Sequence, residues 1–377
     1  MSMKYIDEVP VNELKGRRVL LRADFNLPLK PDGEVANVFR VQQGWKTVRY
    51  LSEQGAKVII VSHLGRDPEE SMEPVARALK PFGPIVFIAD LVGAAAKGAV
   101  MAMKDGEMLL LENVRRDPRE TENDPEFARD LASLAELYVN DSFAADHREH
   151  ASVVGITRFL PSYAGLLVRD EVENIDAARS PEHPSLAILG GAKFETKAPL
   201  IRLLLEKYDH LFITGALAND VFKTRGLQVG RSLISKELPR QDILSNPHLL
   251  APVDVTVEDS SGKVSVKKPE EVGSDDKIAD IGPGSVAMLA PHIASAKFIL
   301  WSGPTGMYEN GYVHYTQGIA ELISKARAKT VIGGGDTVAA IEATGVKMGE
   351  NAFLSTGGGA MLEYLLKGTL PAIAALG

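Results

Sequence analysis

Short, unbroken apolar runs separated by amphipathic segments recur along the whole of this 377-residue chain. A strand covered by helices on both faces is apolar throughout rather than at alternate positions. Such runs therefore predict parallel sheets buried between helical layers. Residues 19–23, 57–62, 85–88, 108–112 and 138–141 are runs of this kind in the first half. Residues 186–189, 211–214, 253–257, 298–301, 331–332 and 352–355 continue the series. Helical patterns fill the gaps, among them 44–54 and 125–137. In the latter, Asp124 suits the N-cap, Pro125 the first helical position, and Phe127, Leu131, Leu134 and Tyr138 share a face. The chain is also too long for one ordinary core. The expected class is α/β: two doubly wound, parallel-sheet (Rossmann-like) domains joined by a long interdomain helix over 165–179. The prolyl segment Ser180-Pro181-Glu182-His183-Pro184 closes that helix and puts the boundary near 170–182. Residues 254–276 differ from the rest and read as a solvated hairpin turning at Ser261-Gly262.

Composition narrows the function classes. A net charge of −8 argues against a general nucleic-acid binder. Without cysteine there are no disulfides, thiolate zinc sites or cysteine nucleophiles. The first ten residues carry Lys4, Asp7 and Glu8 and show no signal-peptide pattern. Every apolar run falls short of the ~18 residues that span a bilayer. A cytoplasmic protein with no membrane or nucleic-acid partner is expected.

Glycine turns dominate the chemistry of the second half. Val331-Ile332-Gly333-Gly334-Gly335-Asp336-Thr337 and Leu354-Ser355-Thr356-Gly357-Gly358-Gly359-Ala360 each run from an apolar strand into a helical pattern. Such turns let a ligand approach the backbone closely, and the first helical N–H groups then point at an anion. Leu189-Gly190-Gly191-Ala192-Lys193 leads to Lys197 four residues on, a spacing that puts two ammonium groups on one helix face. Two cations beside a helix N-terminus repel unless an anion lies between them, which suggests a polyphosphate clamp; solvated surface lysines are the bland alternative. Asp336 is either an N-cap or a carboxylate for Mg²⁺, and Glu309 either a partner for ribose hydroxyls or an exposed loop acid. No P-loop pattern occurs. Gly282-Pro283-Gly284-Ser285-Val286-Ala287 fits the loose dinucleotide pattern, but no acid follows the next strand, so the match is set aside.

Basic residues dominate the strand ends of the first half. His63, Arg66, Arg115, Arg148 and His150 all follow apolar runs, with Arg40 placed on an adjoining loop. In open α/β sheets, ligands bind outside the carboxyl ends of the strands. This set has almost no compensating acid in its neighbourhood, and guanidinium forks suit phosphate and carboxylate oxygens. The two histidines of Asp146-His147-Arg148-Glu149-His150 also raise zinc, for which no third ligand is evident.

Together these motifs resemble those of the phosphoglycerate kinase family, essentially end to end. The resemblance is carried by Arg22-Ala23-Asp24-Phe25-Asn26, Ser62-His63-Leu64-Gly65-Arg66, Glu112-Asn113-Val114-Arg115, Asn140-Asp141 with His147-Arg148, Gly190-Gly191-Ala192-Lys193 with Lys197, Trp301-Ser302-Gly303-Pro304 and the two glycine triplets. It implies reversible phosphoryl transfer between 1,3-bisphosphoglycerate and MgADP, giving 3-phosphoglycerate and MgATP. Residues 1–172 would bind the glycerate through Asp24, Phe25, Asn26, Arg40, His63, Leu64, Gly65, Arg66, Arg115, Arg148 and His150. Residues 173–364 would bind ATP or ADP, as substrate, through Lys193, Lys197, Glu309, Gly334, Gly335, Asp336 and Thr337. Mg²⁺ would be held by Asp336. The tail, 365–377, would return to the first domain. Arg40 and Lys197, with the backbone at Gly358 and Gly359, would stabilise the phosphoryl group in flight, after closure about the helix at 165–179. Monomers are usual in the family. A homologue that binds ligand without catalysis, as scaffold or sensor, is the competing reading. The chain departs from the family pattern at Ala144-Ala145-Asp146 (usually Gly-Thr-Ala), Ser302 (usually Asn), Gly215-Ala216 (usually a glycine pair) and Arg116-Asp117 (usually aromatic). Asp146 adds negative charge beside an anion site.

Overall fold

The computed structural model describes residues 3–27 and 39–377. It comprises two compact units, one of Met1–Glu173 with Thr369–Gly377 and one of Asn174–Gly368. The first is built on strands β1 (Arg18–Ala23), β2 (Lys57–Val61), β3 (Ile85–Ile88), β4 (Met108–Leu111), β5 (Leu137–Asp141) and β6 (Ser162–Ala164). They form one parallel sheet, ordered β3-β4-β2-β1-β5-β6. β1, β2 and β4 are buried almost end to end, as their unbroken apolar runs require. Val19, Leu21, Val58, Ile60 and Leu110 pack beneath Trp45, Val48 and Leu51 of the helix Phe39–Glu53. The chain departs from β1 toward β2 on one side and returns to β5 on the other. Such a switch point, at the carboxyl ends of β1 and β5, is where open α/β sheets bind ligands.

The second unit repeats the plan with β7 (Ser185–Leu189), β8 (His210–Ile213), β9 (Leu249–Leu250), β10 (Val255–Glu258), β11 (Val264–Lys267), β12 (Lys277–Ile281), β13 (Phe298–Ser302), β14 (Lys329–Gly333) and β15 (Ala352–Leu354). Its main sheet is parallel and ordered β15-β14-β13-β7-β8-β9, with the switch point between β7 and β13. Ile188, Phe212, Ile299, Trp301 and Ile332 form its core with Leu289, Ile319 and Ile323 from covering helices.

Three expectations need correction. The run at 253–257 does not join the main sheet. Its strand, β10, is the centre of a separate antiparallel sheet ordered β11-β10-β12, turning at Gly262 (φ +82°). The helix begun at Pro125, with Asp124 capping Glu126 and Phe127, ends at Ala132 rather than 137. Its continuation is claimed by β5, where Leu137 pairs with Val19. Arg40 lies in the helix Phe39–Glu53, not on a loop.

Candidate functional site

Strand ends deliver the polar residues of the first unit. Arg22, near the end of β1, is only 1% exposed. Its Nε donates to Ser152 Oγ (3.0 Å), one Nη to the Ala23 carbonyl (2.6 Å) and the other to His63 Nδ1 (3.0 Å). A guanidinium can only donate, so Nδ1 of His63 accepts and the ring proton sits on Nε2. Burial, then Arg22, Arg115, Arg148 and Arg40, hold the His63 pKa well below its usual value. His150 is pushed down to about 4 by burial first and then by Arg22, Arg115 and Arg148. Burial and Arg148 lower even Arg115, to about 10. These shifts mark a cationic cluster under mutual repulsion, which a multivalent anion relieves.

Compensating acids are present, contrary to the sequence-level expectation, but they are buried. Asp24 pairs with Arg40. Glu120, fully buried, accepts from Ser152 N–H (2.8 Å) and Oγ–H (2.6 Å), and burial raises its pKa. Asp146, also fully buried, accepts from Asn140 Nδ2 at 2.7 Å, and burial pushes its pKa up to about 7. Asn26 Oδ1 accepts the Gly65 N–H (2.9 Å), and Arg115 donates to the Gly65 carbonyl, so these residues bind the β1 and β2 ends together. Arg66 is exposed and joins none of these contacts. Phe25 and Leu64 pack in the core, and their N–H groups are taken by Ser62 Oγ and Asn113 Oδ1. Sequence reasoning assigned no role to Arg22, Glu120 and Ser152. Arg22 stood within a quoted motif, whereas nothing local distinguishes Glu120 from a surface acid.

In the second unit, glycine turns meet at the carboxyl ends of the main sheet. Gly190 and Gly303, which follow β7 and β13, press backbone to backbone. A Cβ on Gly190 would stand 2.6 Å from the Pro304 carbonyl oxygen, and one on Gly303 2.5 Å from the Gly190 carbonyl carbon. Thr337, fully buried, locks the arrangement: its Oγ1 accepts from Gly303 N–H (2.6 Å) and donates to the Gly333 carbonyl (2.8 Å). Gly334 (φ +98°) and Gly358 (φ +50°) precede the helices Gly335–Thr344 and Gly359–Lys367, whose N-termini have no side-chain cap. Asp336 is thus not an N-cap. It is exposed and accepts from Tyr308 Oη–H at 3.2 Å.

Below these turns lies a cavity of about 480 Å³, lined by Gly191, Gly215, Asn219, Phe222, Glu309 and Asp336 among others. Lys193, Lys197, Gly334, Gly335 and Thr337 are outside its lining. The two lysines do not share a helix face, because Lys193 sits before the helix Phe194–Lys207 in a left-handed conformation (φ +64°). Lys197 is half-buried, which lowers its pKa, and its Cε comes within 3.9 Å of where a Gly191 Cβ would stand. The dinucleotide-like stretch is a helix start that holds the protein's own anion. Asp254 carboxylate oxygens accept from the N–H groups of Gly284 and Ser285, both at 2.7 Å. Among the described residues, no group of three or more His, Asp or Glu is arranged to hold a metal ion, and no helix is long and apolar enough to cross a membrane.

Anion-seeking side chains at the strand ends of one α/β unit, and glycine turns over a cavity at those of another, are the furnishings of a small-molecule kinase. Comparison with known proteins resolves that class into a family. The phosphoglycerate kinase family model matches residues 6–368, and the chain belongs to that family. It is 41% identical to the phosphoglycerate kinase of Pelotomaculum thermopropionicum, over 100% of this chain and 99% of that one. The phosphoglycerate kinase of Synechococcus elongatus is likewise 41% identical, with the same coverage. Among solved structures, phosphoglycerate kinase from Coxiella burnetii aligns with a TM-score of 0.83 at 34% identity, and that from Pyrococcus horikoshii with 0.87 at 28%. Each alignment covers 99% of this chain and 98% of the other.

Proposed function

We propose that this chain catalyses reversible phosphoryl transfer between 1,3-bisphosphoglycerate and MgADP, giving 3-phosphoglycerate and MgATP, as a monomeric glycolytic enzyme of the cytoplasm. The observation that carries this reading is the cationic cluster of Arg22, Arg40, Arg115 and Arg148 around two neutral histidines, in a chain that matches the family over nearly its whole length. The cluster suits a ligand bearing both a carboxylate and a phosphate. His63 offers its Nε2–H as a donor. Nothing in the fold or the comparisons favours a non-catalytic homologue.

An acyl phosphate is already activated, so positioning and charge stabilisation do most of the work, with no protein nucleophile. Arg40 exchanges its Asp24 partner for equatorial oxygens of the moving group. Lys197 carries its charge in a half-buried setting that disfavours it, a tension an anion relieves. The uncapped first turn of the helix Gly359–Lys367 adds backbone donors. Asp336, an exposed carboxylate on the cavity wall, fits a hard cation that takes its remaining ligands from water and nucleotide phosphates. When bound, Mg²⁺ supplies charge neutralisation on those phosphates.

The direct test is a coupled assay of MgATP-dependent phosphorylation of 3-phosphoglycerate, with GTP in parallel. Arg40→Ala and Lys197→Ala should each lower kcat by roughly 10²-fold, the usual cost of losing a charge-stabilising donor. Folded variants with near-normal kcat would overturn the assignment of both residues.

A further inference from the structure

The helix Ala216–Thr224 carries two neighbouring polar residues that are almost completely buried, Asn219 at 4% and Asp220 at 0% exposure. Both hold the segment 232–236. Asn219 Nδ2 donates to the Leu233 carbonyl at 3.0 Å. Asp220 Oδ1 accepts the Ser235 N–H at 2.8 Å, and its Oδ2 accepts the Ser235 hydroxyl at 2.7 Å. The hydroxyl proton is thereby committed to Asp220, and a lone pair of Ser235 Oγ faces elsewhere. It receives the Phe194 N–H at 2.7 Å. That amide is the first of the helix Phe194–Lys207, immediately after Lys193.

This relay ends at a strained point. Lys193 has φ +64° and ψ 75°, and the only other non-glycine residue with positive φ among the described residues is Asn123. A side chain held there persists only where its surroundings over-determine it. The neighbouring Asn219–Leu233 hydrogen bond ties the same segment to a wall of the cavity, since both residues line it. Asp220 therefore joins three elements: the helix below the cavity, the loop on its wall and the turn that sets the direction of Lys193 and Lys197.

We infer that Asp220 is a positioning residue for the nucleotide, acting through Ser235 to lock the backbone turn that presents Lys193 and Lys197. The inference rests on the reading of this cavity as the nucleotide site. A carboxylate is specifically required. In Asp220→Asn an NH₂ group would face the Ser235 hydroxyl, which could then only accept from it. It would accept from both that NH₂ and the Phe194 N–H, and its own proton would lose the acceptor that orients it.

The test compares Asp220→Asn, Ser235→Ala, the double variant and Ser235→Thr in steady-state assays with MgATP and 3-phosphoglycerate varied separately. Each disruptive single change should raise KM for MgATP about tenfold and leave KM for 3-phosphoglycerate within twofold. The double variant should be no worse than the worse single, since all break one relay. Ser235→Thr, which keeps the hydroxyl, should restore the wild-type value. A purely structural defect would instead lower kcat through loss of folded enzyme and leave both KM values alone. Unchanged KM for MgATP in Asp220→Asn and Ser235→Ala, or both substrates' KM values rising together, would overturn the inference. Failure of the wild-type protein itself to saturate with MgATP would overturn the nucleotide reading, a distinguishable result.

Discussion

Asp146 shows how a single carboxyl can sit near a cationic cluster without cancelling its charge. It is fully buried, its Oδ1 accepts from Asn140, and its Oδ2 has no hydrogen-bond partner among the described residues. Burial raises its pKa from an ordinary carboxylate value to about 7, with Arg22 pulling the other way. Below neutral pH it is largely protonated, so the negative charge suggested by sequence is reduced there. The folded pKa lies above the unfolded one, so its stabilisation is complete below about pH 4 and is lost as pH rises through 7. Asp146→Asn should therefore be more stable than wild type at pH 8, by an upper bound of roughly 4 kcal/mol at 1.36 kcal/mol per unit. The advantage should shrink as pH falls and vanish only below about pH 4; urea denaturation at pH 8 and below pH 4 checks this, and an equal effect at both would refute it. His150 has the opposite sign. Its folded pKa, about 4, lies below the unfolded value, so its stabilisation is present above about 6.5 and lost as pH falls toward 4. Of the basic residues here, Arg22 lies within a strand and was given no role, whereas His63, Arg115, Arg148 and His150 were legible in sequence because they follow recognisable strands. Glu120 and Ser152 were not, because their meaning comes from tertiary burial that no local pattern records.

At the scale of elements, the strands were legible wherever burial on both faces leaves a continuous apolar run, as in β1, β2 and β4. Those missed are short or half-exposed: β6 has three residues, β9 has two, and β12 begins with two half-buried positions. The run at 253–257 misled because an apolar stretch does not record whether its partners run parallel or antiparallel. The same region explains why a glycine-rich helix start need not bind a ligand. Asp254 bonds Gly284 N–H, Ser285 N–H and Ser285 Oγ–H, each at 2.7 Å, and a Cβ on Gly282 would stand 2.4 Å from the Asp254 carboxyl carbon. These glycines make room for an internal cap of the helix Pro283–Ser295. Asp254→Ala should destabilise the second unit by about 1–2 kcal/mol, the upper part of the range for lost N-caps. Its KM for 3-phosphoglycerate should be unchanged. Thermal unfolding and the coupled assay check the two halves of that expectation.

At the scale of the whole molecule, the chain path makes the first unit discontinuous and the second continuous. The chain leaves the first unit within the helix Leu166–Arg179 and re-enters it after Gly368. In the returning segment, Leu370 (1%), Ala372 (0%), Ile373 (8%) and Leu376 (8%) are nearly inaccessible. Ala372 packs with Ala145 and Val153, and its N–H donates to the Asp146 carbonyl at 3.1 Å. The tail thus reaches the backbone two residues before Arg148, so loss of the tail should be felt at the basic cluster. Burying three Leu or Ile side chains is worth several kcal/mol, at about 1.5–3 kcal/mol each. Removing residues 369–377 should accordingly lower the unfolding temperature of the first unit and weaken 3-phosphoglycerate binding. The second unit, Asn174–Gly368, keeps its whole chain and its cavity, so MgADP binding should persist. Calorimetric titration of the truncated protein with each ligand separates the outcomes. Loss of both affinities in step would mean that the two units do not hold their ligands independently, whereas retained 3-phosphoglycerate affinity would mean that the tail does not support the basic cluster.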